Sequence, residues 1–405
     1  MKIKILIYVT LLFIISSSCE EAEIYEGDPN DLLIEVNTTF TVIPETRKFL
    51  VISNDKSNSK FIELENDNKY RINRGNDFSG DKIHLHIIEY WENLEYWEIS
   101  SYYEIGLGLK LNLGTDKKIG NSKFAVNLKF KDVPGFEIIT RSAMHPGHCH
   151  TQTTLDVACS PLNEFGPYND ENRFYACFQN NVGGKYLLKE IPNDATGEFL
   201  ISFSDLNEDM VKYEFLKSYN NKSLDWIQIF SGNLELYSLE NMDIFSGKII
   251  AYIPNLSEFD KFTTYANFDM DEEYSFSFEN IGDVPGDFNF INSDLNVSTN
   301  GTSLPSIDNV EGIYDFIHGS IRFDNGHWEL YSYNKEIPFP KLPSEVNDEL
   351  LFDQLKNNVK SVFIEVVDYE NSTNSYMDFI KDILLGEENV LYGNIKTSKS
   401  FSKSM

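Results

Sequence analysis

The sequence predicts a mainly β protein, built as an array of small antiparallel β-sandwich domains with short helices near the C-terminus. Three observations carry this prediction. Apolar and polar residues alternate with a period of two along many segments, and Asp, Asn, Gly and Pro bound those segments. The 30 Phe and 22 Tyr suit strands better than helices. A chain of 405 residues is too long for one small sandwich, so several domains are expected.

The N-terminal stretch, MKIKILIYVTLLFIISSSC, has the features of an export signal. A short cationic start precedes an apolar run that ends at Ile15, and the run is shorter than the roughly 20 residues that span a bilayer. Three serines and Cys19 follow, a pattern that lipoprotein signal peptidase accepts. Cleavage would remove residues 1–18 and leave Cys19 to carry the acyl chains. The alternative is an ordinary secretory signal cleaved near Ser18, with Cys19 as a free thiol.

Acidic residues follow Cys19 directly, and residues 19–31 are predicted to form a flexible tether. The acidic residues are Glu20, Glu21, Glu23, Glu26 and Asp28. These first thirty residues resemble those of surface lipoproteins of the Bacteroidota, in which acidic residues after the lipidated cysteine act as an export signal. The resemblance implies a lipid-anchored protein on the outer face of the outer membrane. The rest of the chain is similar to tandem β-domain lipoproteins of that group, and this similarity implies no particular activity.

The formal net charge of −30 bears on the partners of the protein. Nucleic-acid binding is disfavoured, because it needs a basic face that displaces counterions from phosphates. Electrostatic adhesion to anionic lipid is disfavoured for the same reason. The acyl chains are therefore the expected membrane attachment, and a glycan or a protein is the expected ligand class.

Short motifs recur in the same order in two parts of the chain. They are Asp132-Val-Pro-Gly135 with Asp283-Val-Pro-Gly286, Arg173-Phe174 with Arg322-Phe323, and Lys189-Glu-Ile-Pro192 with Lys335-Glu-Ile-Pro338. Self-similarity of this kind predicts an array of repeated units, here one unit at 119–198 and a copy at 269–346. The Asp-Val-Pro-Gly motif predicts a turn that requires a positive φ at its glycine.

The predicted organisation is an alternating array of Ig-like or carboxypeptidase-regulatory-like sandwiches. Its parts are a signal peptide (1–18), the tether (19–31), β-domains A1 (32–118), B1 (119–198), A2 (199–268) and B2 (269–346), and an atypical C-terminal β/α unit (347–405). Apolar residues at helical spacing predict one helix at about 347–359 and a second at about 375–386.

The densest group of chemically active side chains lies in B1. It comprises His145, His148, Cys149, His150, Cys159 and Cys177. Histidines two residues apart share one face of a strand and suit Zn²⁺ or Cu²⁺, with His145 brought round by a Pro-Gly turn as a third ligand. In an oxidising compartment the cysteines would instead form one disulfide and leave one thiol, and the sequence allows every pairing. A disulfide without metal is the favoured hypothesis; solvated histidines with neither feature are the remaining alternative.

A second pair of histidines, His84 and His86, lies on the predicted polar face of a strand, and both are expected to be exposed. An aromatic stretch follows. Its Trp97 and Tyr103 are interpreted as core residues, and a sugar-stacking platform is the alternative.

Signatures of catalysis are absent from the sequence: it has no G-x-S-x-G elbow, H-E-x-x-H pair, Walker loop or G-x-G-x-x-G loop. The resulting hypothesis is a non-enzymatic cell-surface lipoprotein that serves binding, adhesion or structure. An accessory or unrecognised glycan-acting hydrolase is the alternative, and metal binding is a weaker one. No cofactor is expected beyond a possible divalent metal.

Overall fold

The computed structural model describes most of the chain from residue 32 onwards. The described residues are 32–39, 45–54, 58–75, 78, 80–113, 125–134, 138–143, 147–153, 156–161, 173–180, 182–190, 196–219, 222–232, 234–240, 248–257, 259, 261–370, 376–385 and 395–405. The predicted signal peptide, Cys19 and the tether lie outside them, as does His145.

Strands dominate the described residues. In chain order they are β1 (Leu32–Thr38), β2 (Thr46–Ser53), β3 (Ser59–Leu64), β4 (Lys69–Asn73), β5 (Lys82–Trp91), β6 (Tyr96–Gly106), β7 (Leu109–Leu113), β8 (Ala125–Lys131), β9 (Ile138–Ala143), β10 (Gly147–Thr153), β11 (Asp156–Pro161), β12 (Arg173–Gln179), β13 (Gly184–Glu190), β14 (Thr196–Ser202), β15 (Met210–Leu216), β16 (Ser218–Tyr219), β17 (Lys222–Ser231), β18 (Leu234–Glu240), β19 (Lys248–Pro254), β20 (Phe262–Asp269), β21 (Tyr274–Gly282), β22 (Ser293–Ser298), β23 (Ser306–Gly312), β24 (Phe316–Phe323), β25 (Gly326–Ser332), β26 (Val359–Glu370) and β27 (Ile395–Ser404).

Helices are few and short, and the α-helices lie near the C-terminus, as predicted. They are α1 (Ser344–Leu350) and α2 (Tyr376–Leu385), with 3-10 turns at Phe203–Asp205 and Phe352–Asn357. The first predicted helix is broken, because Leu351 adopts a left-handed conformation with φ 55° and the chain continues as a 3-10 turn. The prediction of a mainly β fold with several sheets is confirmed.

One sheet of thirteen strands organises the molecule. Its order is β16-β17-β20-β21-β27-β26-β24-β25-β6-β5-β2-β3, with β18 paired to β17. Neighbouring strands are antiparallel except β25 and β6, which are parallel. Smaller sheets have the orders β4-β1-β7, β10-β11-β8-β14, β13-β12-β9, β15-β19 and β22-β23.

Two apolar clusters cover opposite faces of the large sheet. On β2, Phe49 and Val51 belong to the larger cluster, whereas Leu50 and Ile52 belong to a second cluster with strand β1 and helix α2. Successive side chains of a strand point to opposite faces. A strand that lies between two cores therefore has a continuous run of apolar residues in its sequence. The FLVIS segment of β2 has this pattern.

The large sheet draws its strands from four of the predicted units. A1 provides β2, β3, β5 and β6; A2 provides β16, β17, β18 and β20; B2 provides β21, β24 and β25; the C-terminal unit provides β26 and β27. Hydrogen-bonded pairing therefore crosses the predicted boundaries, most directly where β25 of B2 pairs with β6 of A1. Alternation specifies which residues are buried but not which strands pair, and the division into separate units stays a prediction.

The recurring motifs do not all fall at equivalent positions. Asp132 and Asp283 each come directly after a strand, β8 and β21. Arg173, however, begins β12, whereas Arg322 lies at the end of β24. The turn prediction is wrong at Gly286, which does not have a positive φ, whereas Gly282 before the motif does, at 145°. Gly282 is the last residue of β21 and pairs with Phe262 of β20.

Candidate functional site

A cleft of about 850 Å³ lies between strands β2, β5 and β6 and the segment 332–341 that follows β25. This volume is within the range of roughly 300–1,000 Å³ that is typical of ligand sites. The residues that line it are Val51, Ser53, Asn54, Ser59, His84, His86, Tyr103, Glu104, Ser332, Asn334, Lys335, Glu336, Ile337, Pro338, Phe339, Pro340 and Lys341. The cleft combines hydroxyl, imidazole and amide groups with a wall rich in proline.

His84 and His86 are buried, with exposures of 6 % and 2 %, so the prediction that they are exposed is wrong. The reason is that β5 carries apolar clusters on both faces, and the histidines share one of those faces with Tyr103. Their rings lie 5.2 and 5.5 Å from the Tyr103 ring, measured between centroids. Hydrogen bonds satisfy the buried nitrogens: the backbone N–H of Glu104 donates to Nδ1 of His84 over 3.1 Å.

His86 lies between two hydroxyl groups at the floor of the cleft. Its Nδ1 atom is 2.8 Å from Oγ of Ser101, and its Nε2 atom is 3.3 Å from Oγ of Ser53. Burial, with a smaller contribution from the neighbouring His84, lowers the pKa of His86 to about 3. The ring is therefore neutral at physiological pH and presents one donor and one acceptor.

Ser53 and His86 have the arrangement of a nucleophile and a base, but the chemistry is unfavourable. A serine nucleophile needs an imidazole that accepts its proton and becomes a cation, which a buried carboxylate stabilises in serine hydrolases. Here the second ring nitrogen faces the hydroxyl of Ser101, and the pKa of about 3 makes His86 a weak base. The arrangement orients the Ser53 hydroxyl for hydrogen bonding and does not favour proton transfer.

The wall of the cleft is held by a side chain from its floor. Tyr103 donates its hydroxyl hydrogen to the carbonyl oxygen of Pro338 over 2.6 Å. Tyr376 of α2 in turn donates to the carbonyl oxygen of Tyr103 over 2.7 Å. Trp328 donates its Nε1–H to Oγ of Ser101 over 2.9 Å, below the histidine. The floor, the wall and α2 are thus connected through buried hydrogen bonds.

Glu104 is the strained residue of the cleft, since its φ is 57° near the C-terminal end of β6. The strand pairing is irregular opposite it, between Ile83 and Leu85 of β5. A non-glycine residue in the left-handed region costs about 1–3 kcal/mol, and such strain clusters at binding sites. The irregularity turns the backbone N–H of Glu104 toward His84, as the hydrogen bond described above shows.

A second group of charged residues lies on the large sheet outside the cleft. Nδ1 of His318 is 2.8 Å from Oε1 of Glu365, its Nε2 is 3.0 Å from Oε1 of Glu329, and Tyr331 donates its hydroxyl to the same Glu329 oxygen over 2.8 Å. Burial acts to lower the pKa of His318, but the hydrogen bonds that it donates to both carboxylates outweigh burial and raise the pKa to about 9. The hydrogen bond with His318 lowers the pKa of Glu329 to about 2. The histidine therefore keeps its proton at neutral pH and acts as a fixed cation between two anions.

Those of the predicted disulfide and metal residues that the structure describes lie on strands that do not line the cleft. His148, Cys149 and His150 are on β10, and Cys159 is on the adjacent β11. Cys177 on β12 is a free thiol that is fully buried.

The metal hypothesis gains no further ligand from strand pairing. His148 pairs with Ser160 and His150 with Ala158 in the backbone register, and neither partner is a common zinc ligand. Within the part of the chain that the structure describes, no three His, Cys, Asp or Glu side chains are grouped closely enough to hold a metal ion.

Trp97 and Tyr103 are both core residues, each with 1 % of its surface exposed, as the favoured interpretation predicted. The residues that sequence reasoning missed are Ser53, Ser101 and the 332–341 segment. Ser53 belongs to the turn-like end of an apolar strand, and no pattern in the sequence relates it to His86. The signal in the sequence that could have located the cleft is the His84-Leu-His86 motif, which places two histidines on the same face of one strand.

None of the helices in the described ranges is long and apolar enough to cross a membrane. Comparisons of the chain with protein-family models, with curated proteins and with solved structures find no match.

Proposed function

We propose that this chain is a non-enzymatic, lipid-anchored surface protein that binds a neutral, hydroxyl-rich ligand, a segment of a glycan, in the cleft. The observation that carries the proposal is the floor of the cleft, where the buried imidazole of His86, itself held by Ser101, positions the hydroxyl of Ser53. Ligand sites combine a shaped cavity with a few well-placed polar groups, and this cleft has both features.

The charges around the cleft favour a neutral ligand. Two cations, Lys335 and Lys341, and two anions, Glu104 and Glu336, line it in equal number. His86 is neutral at physiological pH because its pKa is about 3. A balanced rim neither attracts nor repels a ligand strongly by charge, so recognition rests on hydrogen bonds and shape. The hydroxyl groups of a ligand both donate and accept hydrogen bonds, so they suit such a lining.

The same floor supports binding rather than hydrolysis. A Ser–His pair without a carboxylate partner and with a weakly basic imidazole lacks the features that activate a serine. In the second charged group, Glu329 has a pKa of about 2 and Glu365 a lowered pKa, so neither holds a proton near neutral pH. A glycosidase needs a carboxyl group that is still protonated near neutral pH, because that group acts as the general acid.

The location is supported by sequence alone. The stretch that ends at Cys19 has the pattern of a lipoprotein signal, and the acidic residues after it resemble a surface-export signal. A flexible tether of residues 19–31 would let the domain project from the membrane. A binding protein at this place would hold its ligand at the cell surface.

The test is a glycan array probed with the detergent-solubilised membrane form of the full chain, followed by titration calorimetry with the glycans that bind. Ser53→Ala removes a hydroxyl from the floor of the cleft, and Ser402→Ala removes one from an exposed position on β27 outside the lining. We expect Ser53→Ala to weaken binding by roughly tenfold, the equivalent of one hydrogen bond, and Ser402→Ala to leave it unchanged.

Two outcomes contradict the proposal. Binding that is equally strong in the Ser53→Ala variant would place the ligand elsewhere on the protein. Release of shortened glycans during the titration would show hydrolysis and favour the enzymatic alternative.

A further inference from the structure

We propose that Cys149 and Cys159 form a cross-strand disulfide that closes the β10–β11 hairpin, and that Cys177 remains a free thiol. The inference is independent of the cleft and of its ligand. The sequence allows every pairing among these three cysteines, and the strand register distinguishes between the possible pairings.

The backbone register places Cys149 directly opposite Cys159 in the antiparallel pair β10–β11. Directly opposed residues of antiparallel strands have Cα atoms about 4.5–5.5 Å apart and share one face of the sheet. Disulfides span Cα separations of about 4.4–6.8 Å, so the register brings the two residues to bonding separation without any rearrangement of the strands. The neighbouring pairs, His148 with Ser160 and His150 with Ala158, continue the same register on both sides.

Cys177 is committed to another place in the molecule. It lies on β12, where its partners in the register are Thr140 on β9 and Tyr186 on β13. Its side chain is fully buried in the larger apolar cluster, which also contains Tyr175 and Tyr237. To pair with either of the other cysteines, it would have to leave this core. Burial also raises the pKa of the Cys177 thiol to about 12, so the reactive thiolate is scarce.

The bond forms by thiol–disulfide exchange. A thiolate of one hairpin cysteine attacks an oxidised disulfide donor, such as an exported dithiol oxidoreductase in its disulfide form, and one donor thiol leaves. The second hairpin cysteine then attacks the mixed disulfide, its own proton is released, and the second donor thiol leaves. The two cysteine sulfurs are oxidised by two electrons in total, and the donor disulfide is reduced to two thiols. This chemistry requires an oxidising compartment, which the export signal predicts.

The disulfide would also remove Cys149 and Cys159 from any metal site in this hairpin, because metal ligation needs free thiolates. It would fix the register between β10 and β11. Strand β11 also pairs with β8. The hairpin is part of the sheet β10-β11-β8-β14, apart from the large sheet. The bond would therefore stabilise this smaller sheet directly.

The test uses the full chain, purified from cells that export it, with iodoacetamide present and without reductant. Peptide mapping by mass spectrometry, after digestion with a protease that cleaves at Asp156 between the two cysteines, should find one cross-linked species that contains Cys149 and Cys159, with a mass lower by two hydrogens than its separate peptides. Reduction should separate them. Cys177 should be alkylated only after the protein is unfolded.

A cross-link that contains Cys177, or complete alkylation of Cys149 and Cys159 before reduction, would overturn the proposal. The Cys177→Ala variant is the matched control, and it should retain the cross-link. Because the map of the unmodified chain is decisive alone, a variant that fails to fold does not weaken the test.

Discussion

Nδ1 of His318 on β24 lies 2.8 Å from Oε1 of Glu365 on β26, so an ion pair joins two adjacent strands of the thirteen-stranded sheet. The side chains are 18 % and 11 % exposed. Charged hydrogen bonds in such poorly hydrated surroundings are strong, and a charge that loses its partner there is expensive.

Removal of the cation should therefore destabilise the fold. His318→Gln would leave Glu365 buried without its main partner, and we expect the free energy of unfolding to fall by about 3–5 kcal/mol. Urea denaturation monitored by tryptophan fluorescence measures it. The control is Lys356→Gln, which breaks the more exposed ion pair with Asp353 and should change stability by less than about 1 kcal/mol. Equal effects of the two variants would contradict this account of the buried pair.

The same group predicts a pH dependence. The folded-state pKa of His318 is raised from 6.5 to about 9, so its stabilisation is complete below about pH 6.5 and is lost as the pH rises toward 9. The pKa of Glu329 is lowered from 4.5 to about 2, so its stabilisation is present above about pH 4.5 and is lost as the pH falls toward 2. The stability difference between wild type and His318→Gln should be largest between about pH 4.5 and pH 6.5, where both groups contribute fully. Urea denaturation at a series of pH values measures this difference. A difference that does not change with pH would exclude a charged histidine.

Gly319 on β24 should not tolerate a side chain. A Cβ atom there would lie 2.9 Å from Cδ1 and Cγ of Leu330 and 3.0 Å from Cδ1 of Ile364, in the interior of the large sheet. We expect Gly319→Ala to lower the free energy of unfolding by about 1–3 kcal/mol through overpacking. Gly286→Ala meets no atom within 4 Å and should stay within about 0.5 kcal/mol of the wild type. A neutral Gly319→Ala would mean that the neighbouring strands can move apart.

The hydroxyl of Tyr103 should restrain the wall of the cleft. Tyr103→Phe keeps the ring but removes the 2.6 Å hydrogen bond to the carbonyl oxygen of Pro338. We expect faster amide hydrogen exchange at Ile337, Phe339 and Lys341, with little change in the strands, because local opening needs less free energy. Exchange measured by mass spectrometry tests it. If protection in this segment is unchanged, the proline-rich wall is rigid without the tyrosine.

Cys19→Ala tests the predicted lipid anchor. The variant should lose its acyl chains and either leave the membrane fraction or remain unprocessed, because the cysteine is the residue that the signal peptidase and the acyl transfer both require. Fractionation with intact-mass measurement follows both effects. The matched control is Cys177→Ala, which leaves the N-terminal signal unchanged and should partition with the membrane. Normal partitioning of Cys19→Ala, with an unaltered mass shift, would contradict the lipoprotein hypothesis.

The secondary structure was largely predictable, because period-two alternation depends only on which residues face a core. The segments around Phe49, Leu85 and Phe276 are strands as predicted. The exposure of His84 and His86 was predicted wrongly, because the prediction assumed that one face of the strand contacts solvent. Strand β5 instead has an apolar core on each face. The positive φ predicted at Gly286 was wrong, since Gly282 has a positive φ and Gly286 does not.

By itself, the sequence determined the strand-rich fold, the short C-terminal helices and the cysteines available for bonding, since local periodicity and composition encode these properties. The tertiary structure decided which strands pair, and so brought Ser53 within 3.3 Å of His86 and Cys149 opposite Cys159. It also placed the wall of the cleft, where Tyr103 holds Pro338 from a position 235 residues earlier in the chain. Contacts between residues so distant in sequence depend on strand order and register. Side-chain alternation along one strand does not specify the order, and it limits the register only to shifts of two residues.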